Sequence, residues 1–281
     1  MTPRQAIKPA NGPFAPSFAP SFAEASAGRK ASAGKEAVLA AVAGYAAPIF
    51  WLAPPEDGKG RPRNGRIRNG TLFVVDAGEG PFAVSANHVY EGYVEAKAKH
   101  SGTRCRVLPK PDGRRRAPLA FDPEARLIDR IHDPDIATFR ITLREVARLG
   151  IKTVTNWPPR VPERGQTVAF AGFPGGARRR IGRRDLHFEV YPGLAPATSV
   201  NDRHISCQSG QEPAVNADGF RLPPRYYDTG GMSGGPLFTV GETREPSGWR
   251  LGGVISQGSP ALGILRASLA ERLLPGGGLR R

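Results

Sequence analysis

The stretch Gly231-Met232-Ser233-Gly234-Gly235-Pro236 concentrates what a nucleophilic hydroxyl needs. Glycine on both sides of the serine lets the backbone turn tightly and leaves the hydroxyl exposed. The N–H groups of Gly231 and Ser233 can converge on one point, where negative charge developing on a carbonyl oxygen would be stabilised. Serine is a weak nucleophile at its own pKa, so a base must take its proton and a third group must orient that base. Five histidines are available, at 88, 100, 132, 187 and 204, and all of them precede the serine. His88 follows the apolar run Pro81-Phe82-Ala83-Val84-Ser85 and can project from a rigid strand edge into a cleft. His100 and His132 lie in charged stretches, and His187 and His204 have no comparable setting. Asp135 stands at the mouth of the apolar run that begins Ile136-Ala137. There its carboxylate can accept from an imidazole N–H, fixing the tautomer and stabilising the imidazolium. Asp133 is the alternative, but Pro134 separates it from the strand.

Chain order discriminates between the serine hydrolases. Gly231 to Gly235 also satisfies G-x-S-x-G, the nucleophile turn of α/β-hydrolases, but that fold needs a histidine after the serine and none follows here. The subtilisin order needs an aspartate before the histidine, and no glycine-rich aspartate segment precedes His88. The order His, Asp, Ser remains. Taken together, Ser85-Ala86-Asn87-His88-Val89, Asp135-Ile136-Ala137 and Gly231-Met232-Ser233-Gly234-Gly235-Pro236 resemble the trypsin-like (chymotrypsin-fold) serine peptidases of bacterial type. The resemblance runs from residue 45 to residue 265. It implies two six-stranded antiparallel β-barrels with the site in the cleft between them. His88 and Asp135 would come from the first barrel and Ser233 from the second. In that scheme His88 is the general base, Asp135 its orienting partner and Ser233 the nucleophile, with the amides of Gly231 and Ser233 as the oxyanion hole. Ser256-Gln257-Gly258 resembles the edge that pairs with substrate backbone by β-addition, which makes Ser256 and Gly258 candidate substrate-binding residues. Tyr227 lies where the floor of the specificity pocket is expected and argues for small or apolar substrate side chains. Its neighbour Asp228 would meet a basic side chain in a different loop register. Met232 replaces the aspartate that precedes the serine in secreted digestive members, and no Ile-Val-Gly-Gly start is present, so activation by cleavage is not expected.

The elements that must carry these residues read as all-β. With 35 Gly and 28 Pro, the composition favours short strands joined by turns over long helices. Residues 1–34, rich in Ala, Pro and Ser, read as a disordered arm. A short N-terminal helix is expected over Glu36–Gly44 and a first strand over Ala47–Leu52. Thr71–Val75 and Pro81–Ser85 flank a glycine-containing turn and predict a hairpin. A strand over Ile136–Ile141 and a helical turn over Leu143–Arg148 follow. A second series comprises Thr167–Ala171, His187–Tyr191, the run after the serine loop, and Trp249–Ser256. A short C-terminal helix is expected over Ala267–Leu274. Two series of turn-punctuated strands predict two packed β-barrels. The expected division is 1–34 arm, 35–150 first barrel with His88 and Asp135, 151–266 second barrel with Ser233, and 267–281 closing helix and tail.

The remaining features limit the function classes. The formal net charge of +15 owes much to arginine runs such as Arg114-Arg115-Arg116, Arg178-Arg179-Arg180 and Arg183-Arg184. These sit in Gly/Pro-rich stretches without interleaved aromatics, so they read as solvated loops, not as a nucleic-acid stacking platform. The partner expected is a protein or peptide substrate; nucleic acid and membrane are disfavoured. Cys105 and Cys207 form no C-x-x-C pair and leave a single disulfide as the most that is available. No metal site and no cofactor are called for. With no secretory pattern in the first 30 residues and few cysteines, cytoplasm is the expected compartment; a periplasmic or secreted location would follow if translation begins near Lys35. Two other readings stand beside the endopeptidase: an inactive trypsin-fold scaffold, and a basic nucleic-acid-binding module.

Overall fold

The structure, a computed structural model, describes residues 34–52, 67–111, 116–181, 185–208, 230–241, 245–259 and 263–281. The apolar runs are strands buried on both faces, and their period-two alternation sorts each strand between two cores. In β2 (Ile67–Asp76), Leu72 and Val74 face one core while Phe73 and Val75 face the other. In β9 (Thr167–Gly172), Val168 and Phe170 face inward while Ala169 and Ala171 face the opposite half. Three cores result: one inside each half, and a third between the halves.

The first half opens with α1 (residues 34–43) and continues with β1 (Ala46–Leu52), β2, β3 (Pro81–Ser85), α2 (Asn87–Lys99), β4 (Cys105–Val107), β5 (Leu119–Ala120), α3 (Pro123–Arg126), β6 (Leu127–Ile131), β7 (Ile136–Arg140), α4 (Leu143–Leu149) and β8 (Thr153–Val154). Its sheet has eight strands in the order β5-β4-β1-β2-β3-β7-β6, with β8 parallel to β2. This sheet curls as a half-barrel where a closed six-stranded barrel is expected. The edge strand β5 has only two residues, and no β5–β6 pairing joins the edges among the described residues. The hairpin expected around residues 76–80 is β2–β3, with Phe73 opposite Val84.

The second half comprises β9, β10 (Arg178–Ile181), β11 (Asp185–Phe188), β12 (Tyr191–Val200), β13 (His204–Gln208), β14 (Pro236–Thr239), β15 (Arg250–Ser259) and β16 (Ile264–Leu269). Strands β12-β13-β16-β15-β14-β9 close into a barrel, and β10–β11 form a separate hairpin. The Arg178-Arg179-Arg180 run is thus part of a strand and not an unstructured loop. The helix expected over Ala267–Leu274 is not one. Residues up to Leu269 are β16, which pairs with β13 on one side and β15 on the other, and a single 3₁₀ turn, Ala270–Arg272, follows. Leu265, Ala267 and Leu269 alternate into the barrel core, so strand pairing overrides the helix preference of Ala, Leu, Glu and Arg. The 13-residue helix α2 is an element the strand patterning does not predict.

Cys105 is buried in the core of the first half and Cys207 in the barrel, and both are free thiols. Burial pushes the Cys207 thiol up to about 12 and raises Cys105 further. Residues 1–33 of the expected arm, Arg114, Arg115, Arg183 and Arg184 lie outside the described residues.

Candidate active site

The loop around Ser233 is built by contacts between residues distant in sequence. Gly231 and Gly234 have φ of 99° and 89°, a left-handed conformation that side chains disfavour. Space excludes a side chain as well. A Cβ on Gly234 would lie 2.2 Å from both Ser85 Oγ and the Thr71 carbonyl oxygen, and 2.9 Å from the Ala86 nitrogen. A Cβ on Gly231 would lie 2.4 Å from Asn69 Nδ2 and 2.7 Å from the Phe173 carbonyl oxygen. The loop is then pinned by hydrogen bonds. Thr71 N donates to the Ser233 carbonyl at 2.8 Å, and Gly234 N donates to the Ile255 carbonyl at 2.7 Å. Thr71 Oγ1, fully buried, donates to the Gly231 carbonyl at 2.9 Å and accepts from Phe173 N at 2.9 Å. Asn69 Nδ2 donates to the Phe173 carbonyl at 2.7 Å, and Arg178 donates to Asn69 Oδ1 at 2.7 Å. The start of β2, in the first half, is therefore a cradle for a loop belonging to the second. The amides of Gly231 and Ser233 donate to no acceptor among the described residues.

His88 stands in the first turn of α2, three residues beyond the end of β3, instead of at the strand end itself. Asp135 closes the turn between β6 and β7. The two meet at two points: Asp135 Oδ1 accepts from the His88 backbone N–H at 2.8 Å, and Asp135 Oδ2 lies 2.6 Å from His88 Nδ1. The carboxylate is mostly covered while the imidazole is half exposed, with side-chain exposures of 19% and 50%. An acceptor on Nδ1 leaves Nε2 as the atom free to take a proton. Asp133 instead pairs with Arg203, at 2.7 Å. Asn87, beside His88, is buried, and Arg130 reaches its Oδ1 at 3.4 Å and Glu91 Oε1 at 3.0 Å.

Ser233 is brought towards the same edge through Gly234, which packs on Ser85 and Ala86 just ahead of His88. Its hydroxyl donates to the Ser256 carbonyl at 3.5 Å; no hydrogen bond joins it to His88. Ser256 is buried on β15 beside a bulge, and Gly258 follows it opposite Leu265. Tyr227 and Asp228 lie outside the described residues. The other histidines make no hydrogen bond to His88 or Asp135 among the described residues, although His132 Nδ1 lies 3.5 Å from Asn87 Nδ2. His100 caps α2, His132 faces Glu91 at 3.7 Å, His187 pairs with Arg179 in the β10–β11 hairpin, and burial lowers the His204 pKa at the start of β13. Among the described residues, no group of three or more His, Cys, Asp or Glu side chains is placed to hold a metal ion. Sequence reasoning misses Asn69 and Thr71 as parts of the site, because their partners lie about a hundred residues or more away along the chain.

Residues 70–244, more than half of the sequence, match the trypsin-like peptidase domain, and the chain belongs to that family. No curated protein matches it. Among solved structures it is similar to the thermostable serine protease AL20 from an extremophilic microorganism, at 16% identity and a TM-score of 0.44, covering 82% of this chain and 92% of that one. It is also similar to Deg5, at 14% identity and 0.44, covering 81% and 86%. A third is the protease Anisep from Arthrobacter nicotinovorans, at 14% identity and 0.44, covering 80% and 90%.

Proposed function

We propose that the protein is a serine endopeptidase that hydrolyses peptide bonds through Ser233, His88 and Asp135. The observation that carries this reading is the two-point grip of Asp135 on His88, through the backbone N–H and Nδ1 at once. That grip presets the imidazole in the tautomer a general base requires. A substrate strand adds along Ser256 to Gly258 on β15. Ser233 Oγ attacks the scissile carbonyl carbon while His88 Nε2 takes the hydroxyl proton, forming the new C–O bond. The oxyanion is met by the N–H groups of Gly231 and Ser233. His88 then delivers its proton to the leaving nitrogen as the C–N bond breaks, and water resolves the acyl-enzyme by the same route.

One observation favours the alternative of a non-catalytic trypsin-fold binder: the Ser233 hydroxyl is directed at the Ser256 carbonyl and not at His88. At 3.5 Å that contact is weak, and catalytic hydrogen bonds commonly tighten only when substrate is present. A fluorophosphonate probe separates the two readings. The parent chain is expected to be labelled covalently at Ser233, and a folded Ser233→Ala variant not at all. A parent chain that stays unlabelled would mean a binder, and equal labelling of both would mean another nucleophile.

A further inference from the structure

We infer that residues 273–281 form a strap that positions the His88–Asp135 pair, with Thr138 and Asp129 as its receptor. The inference rests on the proposed catalytic reading and extends it to residues far from the reacting atoms. The strap is a tight turn. Leu273 bridges to Leu279, Leu274 N donates to the Gly278 carbonyl at 2.8 Å, and Arg280 N donates to the Arg272 carbonyl at 2.8 Å. It leaves the second half directly after β16 and its 3₁₀ turn, and crosses to the first half. Leu273 and Leu279 are buried in the core between the halves. At the turn, Gly277 fits so closely that a Cβ there would lie 3.0 Å from Ile128 and 3.1 Å from Phe82.

Among the described residues, the strap's hydrogen bonds to the first half fall on the β6–β7 hairpin. Thr138 Oγ1, fully buried on β7, donates to the Gly277 carbonyl at 2.5 Å. Asp129 on β6 accepts from Leu279 N at 3.0 Å and from Arg281 at 2.8 Å, and Arg281 also donates to the Arg130 carbonyl at 3.2 Å. This hairpin is the one whose turn ends in Asp135. From the same strand, the Arg130 side chain reaches to Asn87 and Glu91 on α2, the helix whose first turn holds His88. The strap therefore braces β6 and β7 from behind while Arg130 ties β6 to α2 in front. Both Asp135 oxygens are committed to His88, so a slip of the hairpin cannot be absorbed by rotating the carboxylate without losing one contact. Displacements near 1 Å in a catalytic constellation can cost on the order of 100-fold in rate.

The test uses Thr138→Val, which keeps the shape of the side chain and removes the hydroxyl, Thr138→Ser, which restores it, and Asp129→Ala. Fluorophosphonate labelling is measured against probe concentration. The expected result for Thr138→Val and Asp129→Ala is a maximal labelling rate lower by roughly tenfold or more, with the half-saturating probe concentration unchanged. Thr138→Ser should recover most of the loss. In an Asp135→Asn background neither substitution should lower the rate further, because the strap acts through Asp135. In parallel, the far-downfield proton resonance of His88 Nδ1–H should be present in the parent and broadened or shifted in Thr138→Val and Asp129→Ala. Folded variants with unchanged labelling and an unchanged resonance would overturn the inference, as would losses that persist in full beside Asp135→Asn. An unlabelled parent would sink the peptidase reading alone, since the resonance judges the strap without any turnover.

Discussion

Gly234→Ala is the sharpest probe of how the two halves make one site. The perturbation has two components that can be measured apart. The first is conformational: a residue with φ of 89° takes a backbone shape that costs an alanine about 1–2 kcal/mol. The second is steric: the added methyl would sit 2.2 Å from Ser85 Oγ and from the Thr71 carbonyl oxygen. That carbonyl is already the acceptor of the Ser85 hydroxyl at 2.7 Å, and both residues are fully buried on paired strands, so neither can retreat cheaply. Overpacking of this kind costs roughly 1–3 kcal/mol. Gly80 supplies the control. Its φ is 100°, and a Cβ there would meet nothing within 4 Å, so Gly80→Ala carries the conformational component alone. Urea denaturation should therefore show Gly80→Ala destabilised by about 1–2 kcal/mol and Gly234→Ala by about 2–5 kcal/mol. In thermal melts the second figure corresponds to a fall on the order of 5–15 °C for a domain of this size. Gly234→Ala should also slow fluorophosphonate labelling, because relief of the clash moves Ser233 away from the Ser85–Ala86 edge. Equal destabilisation by the two substitutions, with labelling intact in Gly234→Ala, would refute the claim that close approach at this glycine sets the position of Ser233.

Two further outcomes follow from buried or paired groups. Thr71→Val strips a partner from both the Phe173 N–H and the Gly231 carbonyl, and should cost about 2–4 kcal/mol in chemical denaturation, with Thr71→Ser recovering most of it. The Arg126 guanidinium, bonded to Glu145 at 2.6 and 3.0 Å, holds that carboxyl at about 2, below its ordinary value of 4.5. A carboxyl depressed on folding contributes stability that is complete above its ordinary value and is lost as pH falls through the folded one, so the window is pH 4.5 down to 2. Glu145→Gln keeps an N3 capping side chain for Thr142 on α4, and should cost about 1 kcal/mol at pH 7 and nothing at pH 2, as read from denaturation midpoints across that range.

Much of the fold is legible because it is written in short local runs of apolar, β-favouring residues. Thr71–Val75 and Thr167–Ala171 read as strands without reference to anything distant. Asp135 can be preferred to Asp133 because it stands at the mouth of the apolar run Ile136-Ala137, from which Pro134 separates Asp133; in the structure the first contacts His88 and the second Arg203. Helix α2 escapes notice because its signal is thin. Val89 and Tyr93 are its buried apolar residues, Tyr90, Val94 and Ala96 are only partly covered, and Gly92 among Glu91, Glu95, Lys97 and Lys99 lets the run read equally well as a solvated loop. The Glu95–Lys99 pair at helical spacing, 2.7 Å apart, is the cue that could have revealed it. The closing strand β16 fails for the opposite reason. Ala267 to Leu274 carries strong helix formers, and the partners that override them, β13 and β15, lie elsewhere in the chain. The cradle of Asn69 and Thr71 has no local signature at all, since its meaning depends on Phe173 and Gly231.

The two free thiols, one enclosed in each half, give the molecule a pair of internal clocks. Neither sulfur can react with a water-borne alkylating reagent until the apolar shell around it opens, because only an exposed thiolate is a competent nucleophile. The modification rate at Cys105 then times the opening of the curled sheet, and that at Cys207 the opening of the closed barrel. A chain whose halves share a third core should run both clocks together, whereas halves that breathe independently would keep separate time.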